Sequence, residues 1–278
     1  MDEAKIQSRL RRAKRFDPVA HVPLLCEGAR VGWLRRSHAQ RLMAWPEIFR
    51  RDAEGVRIDG ALDSPAARSA AVGEVIHALH REGAITGWRD ERYAVATHFD
   101  APPLFHIERA AARYFGTMTY AAHANGYCGS GAACEMWLAR RAASKPIDPG
   151  MLDNLVGGGM SAGTPPMQTI VREAREEAGI PAEIARSAVA AGTIDILREV
   201  PEGVQSELIF VHDLKLSRSF QPHNEDGEVA EFRRLPIVKV IEIIESGADL
   251  ITLDASLVAM AYIIRSARGS VPADAKGK

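Results

Sequence analysis

The stretch from residue 157 to residue 180, GGGMSAGTPPMQTIVREAREEAGI, constrains this chain more than any other. It reads as a glycine-rich loop, a helix start, and an acidic helix that stops at a glycine. Thr164 is placed to cap the helix. Pro165 and Pro166 suit its first turn, where backbone N–H groups have no intrahelical partner. Gly179 stands where a left-handed C-terminal cap belongs. Met167, Ile170, Val171, Ala174 and Ala178 recur at helical spacing and form one apolar stripe. Glu173, Glu176 and Glu177 are spaced i, i+3, i+4, so their carboxylates gather on a different face.

Three carboxylates on one face repel one another unless a cation lies between them. On a solvated helix, Arg172 and Arg175 supply that charge, Arg172 through an i, i+4 pair with Glu176. The second reading takes in the glycines. Gly157, Gly158 and Gly159 let the backbone approach a bound group closely. Carboxylate oxygens with a backbone carbonyl make a hard oxygen site suited to Mg²⁺ or Mn²⁺. The residue types alone leave both readings standing.

The stretch resembles the Nudix box. Gly158 takes its first position, and Arg172, Glu173, Ala174, Glu176, Glu177, Gly179 and Ile180 match its second half. One position departs: Thr164 stands where the family has its first glutamate. That glutamate supports the loop and the arginine, so the departure bears on loop rigidity more than on chemistry. The resemblance implies a metal held by Glu173, Glu176, Glu177 and the Gly158 carbonyl, with Arg172 as part of the catalytic set. It also implies a base or ligand from outside the box. The acidic segment NEDGEVAEF offers Glu225, Glu228 and Glu231, of which Glu228 is carried forward. The bland alternative for each is a solvated loop.

Composition narrows the field. Hydrophobic residues make up 46% and charged residues 26% of 278, as in a soluble globular protein. The formal net charge is −1, with 35 basic and 36 acidic residues, which points to neither a nucleic-acid surface nor a membrane-binding patch. Cys26, Cys128 and Cys134 have no zinc-ligand spacing, and the charged start MDEAKIQSRLRRAKRF is not a secretion signal. The expectation is a cytoplasmic protein with reduced thiols, bound neither to membrane nor to nucleic acid; the oligomeric state stays open, a homodimer included.

Along the chain, helices are expected at 3–15, 37–50 (bent or broken at Pro46), 65–81 and 107–114, with strands at 22–34 (a pair turning at Glu27-Gly28), 55–59 and 92–97. Strands follow at 118–127 and 134–141, then 189–199, 205–213 and 229–235, with helices at 238–244 and from Ala255, capped by Asp254. A small polar tail follows Gly269. His123, Asn125 and Tyr127 alternate and so share one strand face, either a solvent side or a pocket wall. Arg140, Arg141 and Lys145 close the next strand, as edge charges or as cations for a phosphorylated ligand. Trp137 could stack on a ring or lie in the core.

FHIERAAARYFG, AHANGYC, MWLARRAASK and PGMLDNLVGGG resemble one Nudix subfamily, related to proteins associated with thiamine pyrophosphokinase and carrying an uncharacterised N-terminal domain. The resemblance implies an α/β chain: a Nudix α/β/α sandwich over residues 116–278, preceded by a smaller α+β domain over residues 1–115. It implies hydrolysis of a small organic diphosphate, thiamine diphosphate or a damaged analogue, with Mg²⁺ or Mn²⁺ as cofactor. In that frame His123, Asn125, Tyr127, Arg140, Arg141 and Gly158 are the substrate-binding set. The alternatives are cleavage of a nucleoside-diphosphate-linked compound, an isomerase acting on isopentenyl diphosphate, and a catalytically weak diphosphate-binding module.

Overall fold

The first hairpin is fixed locally. Glu27 and Gly28 both take positive φ, 49° and 78°, the backbone of a two-residue turn between twisted strands. The flanking strands are β1 (His21–Cys26) and β2 (Ala29–Arg35), preceded by α1 (Glu3–Ala13). Then come α2 (Arg36–Leu42), β3 (Phe49–Arg51), β4 (Val56–Ile58), α3 (Pro65–Arg81), β5 (Arg92–Val95), β6 (Phe105–Glu108) and α4 (Ala112–Phe115). The later part holds β7 (Met118–Cys128), β8 (Glu135–Arg141), β9 (Leu152–Asn154), β10 (Val156–Gly159), α5 (Pro166–Ala178) and α6 (Ala182–Ala185). It ends with β11 (Val189–Val200), β12 (Gly203–Lys215), β13 (Val229–Pro236), α7 (Ile237–Glu245) and α8 (Leu253–Ala267). This computed structural model describes residues 1–247 and 249–269, so the polar tail expected after Gly269 lies outside the described residues.

Residues between Val22 and Phe115 build one core, in which Val72, Val75, Ile76 and Leu79 of α3 lie with Phe105 and Ile107 of β6. A four-stranded sheet, β2-β1-β4-β3, shares that core. The later sheet has the order β11-β12-β7-β8-β13, with β10 on β7 and β9 on β8. β12 and β7 run parallel, Glu207 beside Thr119 and Asp213 beside Asn125. Ala122, Ala124 and Leu214 pack with Ile170, Ala174 and Ala178 of α5. Tyr127, Met136 and Leu138 pack with Ala255, Ala259 and Tyr262 of α8. Helix, sheet and helix make the expected sandwich, and each fully buried Leu or Ile contributes roughly 1.5–3 kcal/mol to it.

Several elements depart from the sequence reading. α1 packs on the later part of the chain rather than on the N-terminal α+β elements: Ala13 joins Ile209 and Val258, and buried Arg9 donates to the Ile244 carbonyl at 3.0 Å. α2 ends at Leu42, and β3 occupies residues expected to be helical because Phe49 and Arg51 pair with Ile58 and Val56. Residues 105–108 form a strand because β5 pairs with them, so the short helix expected from residue 107 starts two residues later, as a 3₁₀ turn over Arg109–Ala111 that runs on into α4. α5 has Pro165 at its cap position with no side-chain bond, so Thr164 is not the cap. α8 is capped by Thr252, whose side chain accepts from Ala255 N, which leaves Asp254 free for another role. The three cysteines are free and buried. Among the described residues no helix is long and apolar enough to cross a membrane.

Candidate active site

The glycines expected in a loop form an edge strand. β10 runs antiparallel to β7, with Gly157 beside His123, Gly158 beside Ala122 and Gly159 beside Ala121. Successive residues of a strand point to opposite faces, and each glycine leaves room for a different group. A Cβ on Gly157 would lie 2.8 Å from the His123 ring. A Cβ on Gly158 would strike the Glu173 carboxylate, and one on Gly159 the Tyr93 hydroxyl, with Arg109 Cζ at 3.4 Å. The glycines therefore form a thin partition between the carboxylates of α5 and residues from the N-terminal part.

On the α5 side, Glu177 Oε2 accepts from the Gly157 N–H at 2.9 Å. Arg172 bridges Glu173 at 2.6 Å and Glu176 at 3.2 Å, and reaches the Gly159 carbonyl at 3.4 Å. Glu173 is only 8% exposed. Burial, against the pull of Arg172 and with the push of Glu176, raises its carboxyl to about 7. Burial and then Glu173 raise the Glu177 carboxyl well above the usual carboxylate range, although the Gly157 N–H opposes this. Lys145 pairs closely with Glu228 and holds that carboxyl below its ordinary value despite partial burial. Glu177, Glu228, Lys145, Arg141 and Asp153 line one small gap beside Gly157.

On the other side is a cleft of about 270 Å³, lined by Tyr93 and Arg109 from the N-terminal part and by His123, Arg141, Gly157, Gly159 and Glu207 among others. Ser161 donates to Glu91 at 2.6 Å, Arg109 donates to the same carboxylate at 2.7 Å, and Ala162 N reaches the Arg92 carbonyl at 3.1 Å. The segment after the glycines is thus laced to β5.

Residues 129–252 match the profile of the NUDIX domain, and residues 4–119 match that of a Domain of unknown function (DUF4743). Nudix hydrolase 20, chloroplastic, of Arabidopsis thaliana is 35% identical over 253 residues, covering 88% of this chain and 67% of its own length. The chain belongs to the Nudix hydrolase family. Nudix hydrolase 24, chloroplastic, of the same plant is 36% identical over 225 residues, 80% of this chain and 62% of its own length, so the chain spans about two thirds of these relatives. A crystal structure of DR0079 from Deinococcus radiodurans is 22% identical with a TM-score of 0.48, covering 62% of this chain and 99% of that one.

Of the Nudix residues named from sequence, Glu173, Glu177, Arg172 and Gly158 lie together, and Glu228 joins them from the segment before β13. Glu176 is turned to Arg172. Glu225 lies near Arg175 at 3.7 Å, and Glu231 pairs with Arg140 and Arg233, so neither shares the gap of Glu228.

The expected substrate wall needs correction. Asn125 is 0% exposed: it donates to Asp213 at 3.0 Å and to the Val258 carbonyl at 3.2 Å beneath α8. Tyr127 is buried against Tyr262, with ring centroids 4.8 Å apart. Of the trio, His123 alone lines the cleft, its Nδ1 donating to Asn154 Oδ1 at 2.9 Å. Arg141 lines the cleft, paired with Asp153 at 2.8 Å, whereas Arg140 is spent on Glu231 and the Gly150 carbonyl. Trp137 is core, on the α5 side.

A divalent cation fits the donor chemistry here. The raised carboxyls of Glu173 and Glu177 mark anions short of compensating charge beside a close-approach backbone. Among the described residues no three carboxylate, imidazole or thiol groups close on one metal-sized point. Arg172 lies between Glu173 and Glu176 in this arrangement, in contact with both carboxylates. Sequence reasoning missed Glu91, Tyr93 and Arg109 as site residues: Glu91 and Tyr93 carry no motif, and Arg109 stood in FHIERAAARYFG only as part of a family likeness, with no role attached.

Proposed function

We propose that this chain is a metal-dependent pyrophosphohydrolase that cleaves the P–O–P bridge of a small organic diphosphate and releases a monophosphate. The observation that carries it is the meeting of Glu173, Glu177 and Glu228 beside the Gly157–Gly159 backbone, next to a cleft lined by arginines. Glu173, Glu176 and Glu177, with the Gly158 carbonyl, would hold Mg²⁺ or Mn²⁺. When bound, that ion neutralises phosphate charge and lowers the pKa of water. Glu228, kept ionised by Lys145, is the base that takes a proton from the attacking water. Arg172 orients Glu173 and Glu176, and Arg141 faces the diphosphate.

Within that class we place thiamine diphosphate, or a damaged form of it, first, on the subfamily likeness of FHIERAAARYFG, AHANGYC and MWLARRAASK. A panel of diphosphates with Mg²⁺, run in ¹⁸O-labelled water, tests both levels. Monophosphate carrying the label is the expected product. Rearranged diphosphate without release would mean an isomerase, and binding without turnover a binding module. Glu177→Gln keeps the shape and the acceptor for Gly157 N–H; its turnover should fall at least about a hundredfold, on the scale of lost transition-state electrostatics.

A further inference from the structure

The cleft has two chemically different ends. α8 begins at Leu253; it covers the part of β7 that carries Asn125 and Tyr127, and its first turns also pack on Ala121. Thr119, Ala121 and His123 line the cleft at the near edge of that cover, beside Gln205 and Glu207 of β12. The floor is low because its residues are small: Thr119, Ala121, Gly157 and Gly159. The volume of about 270 Å³ is near the lower end for a small-molecule site.

At the Gly159 end stands Arg109. Burial alone would pull its proton affinity down, but Tyr93 and Glu91 more than restore it, so it is a permanent cation. Its side chain is 42% exposed, and it acts electrostatically on Glu173. At the far end the balance reverses. The Gln205 amide nitrogen donates to Glu207 at 2.6 Å and to Asp254 at 3.2 Å, while its oxygen accepts from Arg198 at 2.7 Å. One neutral amide is thus shared by two carboxylates. Asp254 Oδ1 is buried and has no partner. A buried acceptor without a donor costs stability unless a ligand completes it. Burial, then Glu207, raises the Asp254 carboxyl to about 6, against the fields of His123 and Arg198. What is missing at this end is a hydrogen-bond donor for Asp254 Oδ1, since Arg198, which lines the same end, is engaged with Gln205.

We propose that the cleft holds the organic end of the substrate, that Glu207 and Asp254 recognise amino or cationic nitrogen on it, and that Arg109 of the N-terminal part faces its phosphates. The substrate class is then a diphosphate ester of a nitrogen-bearing heterocycle, not of a hydrocarbon alcohol. The inference rests on the diphosphate reading of the same site, and it assigns specificity to residues outside the Nudix box.

The test uses the full chain and two probes, thiamine diphosphate (amino and cationic) and isopentenyl diphosphate (no nitrogen). Binding is measured by calorimetry with Mg²⁺ and turnover by phosphate release. Glu207→Gln should weaken binding of thiamine diphosphate, and raise its KM, at least about tenfold, while leaving its kcat within about threefold. Isopentenyl diphosphate should be unaffected. Asp254→Asn should act in the same direction, and Arg109→Gln should weaken both probes alike. Equal effects of Glu207→Gln on the two probes, no effect on either, or no binding of thiamine diphosphate to the unaltered protein would overturn the proposal. Selective binding without turnover would leave this inference standing and remove the hydrolase reading, so the two failures are separable.

Discussion

Glu173 shows how far one residue can be set against its own fold. Its carboxyl is raised to about 7 by burial, so above that pH the folded chain holds a charge that it solvates poorly. The sign follows. A folded-state value above the unfolded one means that the folded chain binds the extra proton, so this group opposes folding above about 7 and the opposition fades as pH falls toward the ordinary carboxylate range. Glu173→Gln should therefore be more stable than the unaltered protein near pH 8, by on the order of 1–3 kcal/mol, and the gap should close near pH 5. It should also be inactive. Thermal melts of both proteins across that range, without metal, check this; a gap that is flat in pH would contradict it. Adding Mg²⁺ should raise the melting temperature of the unaltered protein more than that of the variant, because only the former regains compensation for its charge. Asn125 belongs to the opposite category. Its amide joins Asp213, itself paired with Arg265 at 2.7 Å, to α8. Asn125→Ala should cost about 1–3 kcal/mol through a buried carboxylate left short of a donor. Its kcat/KM should fall alike for every diphosphate tested, or not at all, whereas a loss confined to one substrate would restore Asn125 to the pocket wall.

Among the elements, what could be read from the sequence was what local chemistry decides. The Glu27-Gly28 turn, the bounds of α3 from Pro65 to Arg81, and the stripe and glycine stop of α5 each follow from neighbouring residues, and each forms as expected. β3 and β6 were illegible because their partners decide them: Phe105–Glu108 becomes a strand only through pairing with Arg92–Val95. The alternation of His123, Asn125 and Tyr127 correctly gave one shared face. What lies over that face is α8, more than a hundred residues later, and no periodicity reports it. The same limit hid β10. A run of glycines has no strand signature, yet its pairing with β7 places three empty Cβ positions against His123, Glu173 and Tyr93. Gly158→Ala should displace Glu173 and lower kcat at least about tenfold, and Gly157→Ala should press on the His123 ring instead. Measuring kcat together with Mg²⁺ dependence separates them: the metal requirement should weaken for Gly158→Ala and hold for Gly157→Ala.

For the molecule as a whole, the site joins two parts of the chain that have separate cores. Arg35 donates to the Pro201 carbonyl at 2.8 Å, Arg113 pairs with Glu202 at 3.4 Å, and Glu91 accepts from Ser161 at 2.6 Å, so contacts cross between the parts at several points around the cleft. Of these, only the Glu91–Ser161 contact adjoins the glycine strand. A diphosphate lying between Arg109 and the Nudix box would load both sides at once, and binding to the folded state alone stabilises whatever it touches. Hydrogen exchange should show this. With Mg²⁺ and a non-hydrolysable diphosphate, amides of β5, β6 and β10 should slow together, while those of α7, remote from the cleft, stay as they were. In Ser161→Ala the protection of β10 should persist and that of β5 should shrink, because the hydroxyl that ties Glu91 to the segment after the glycines is gone. Protection confined to β10 and α5 in the unaltered protein would mean that the N-terminal part stands beside the site without taking part in it.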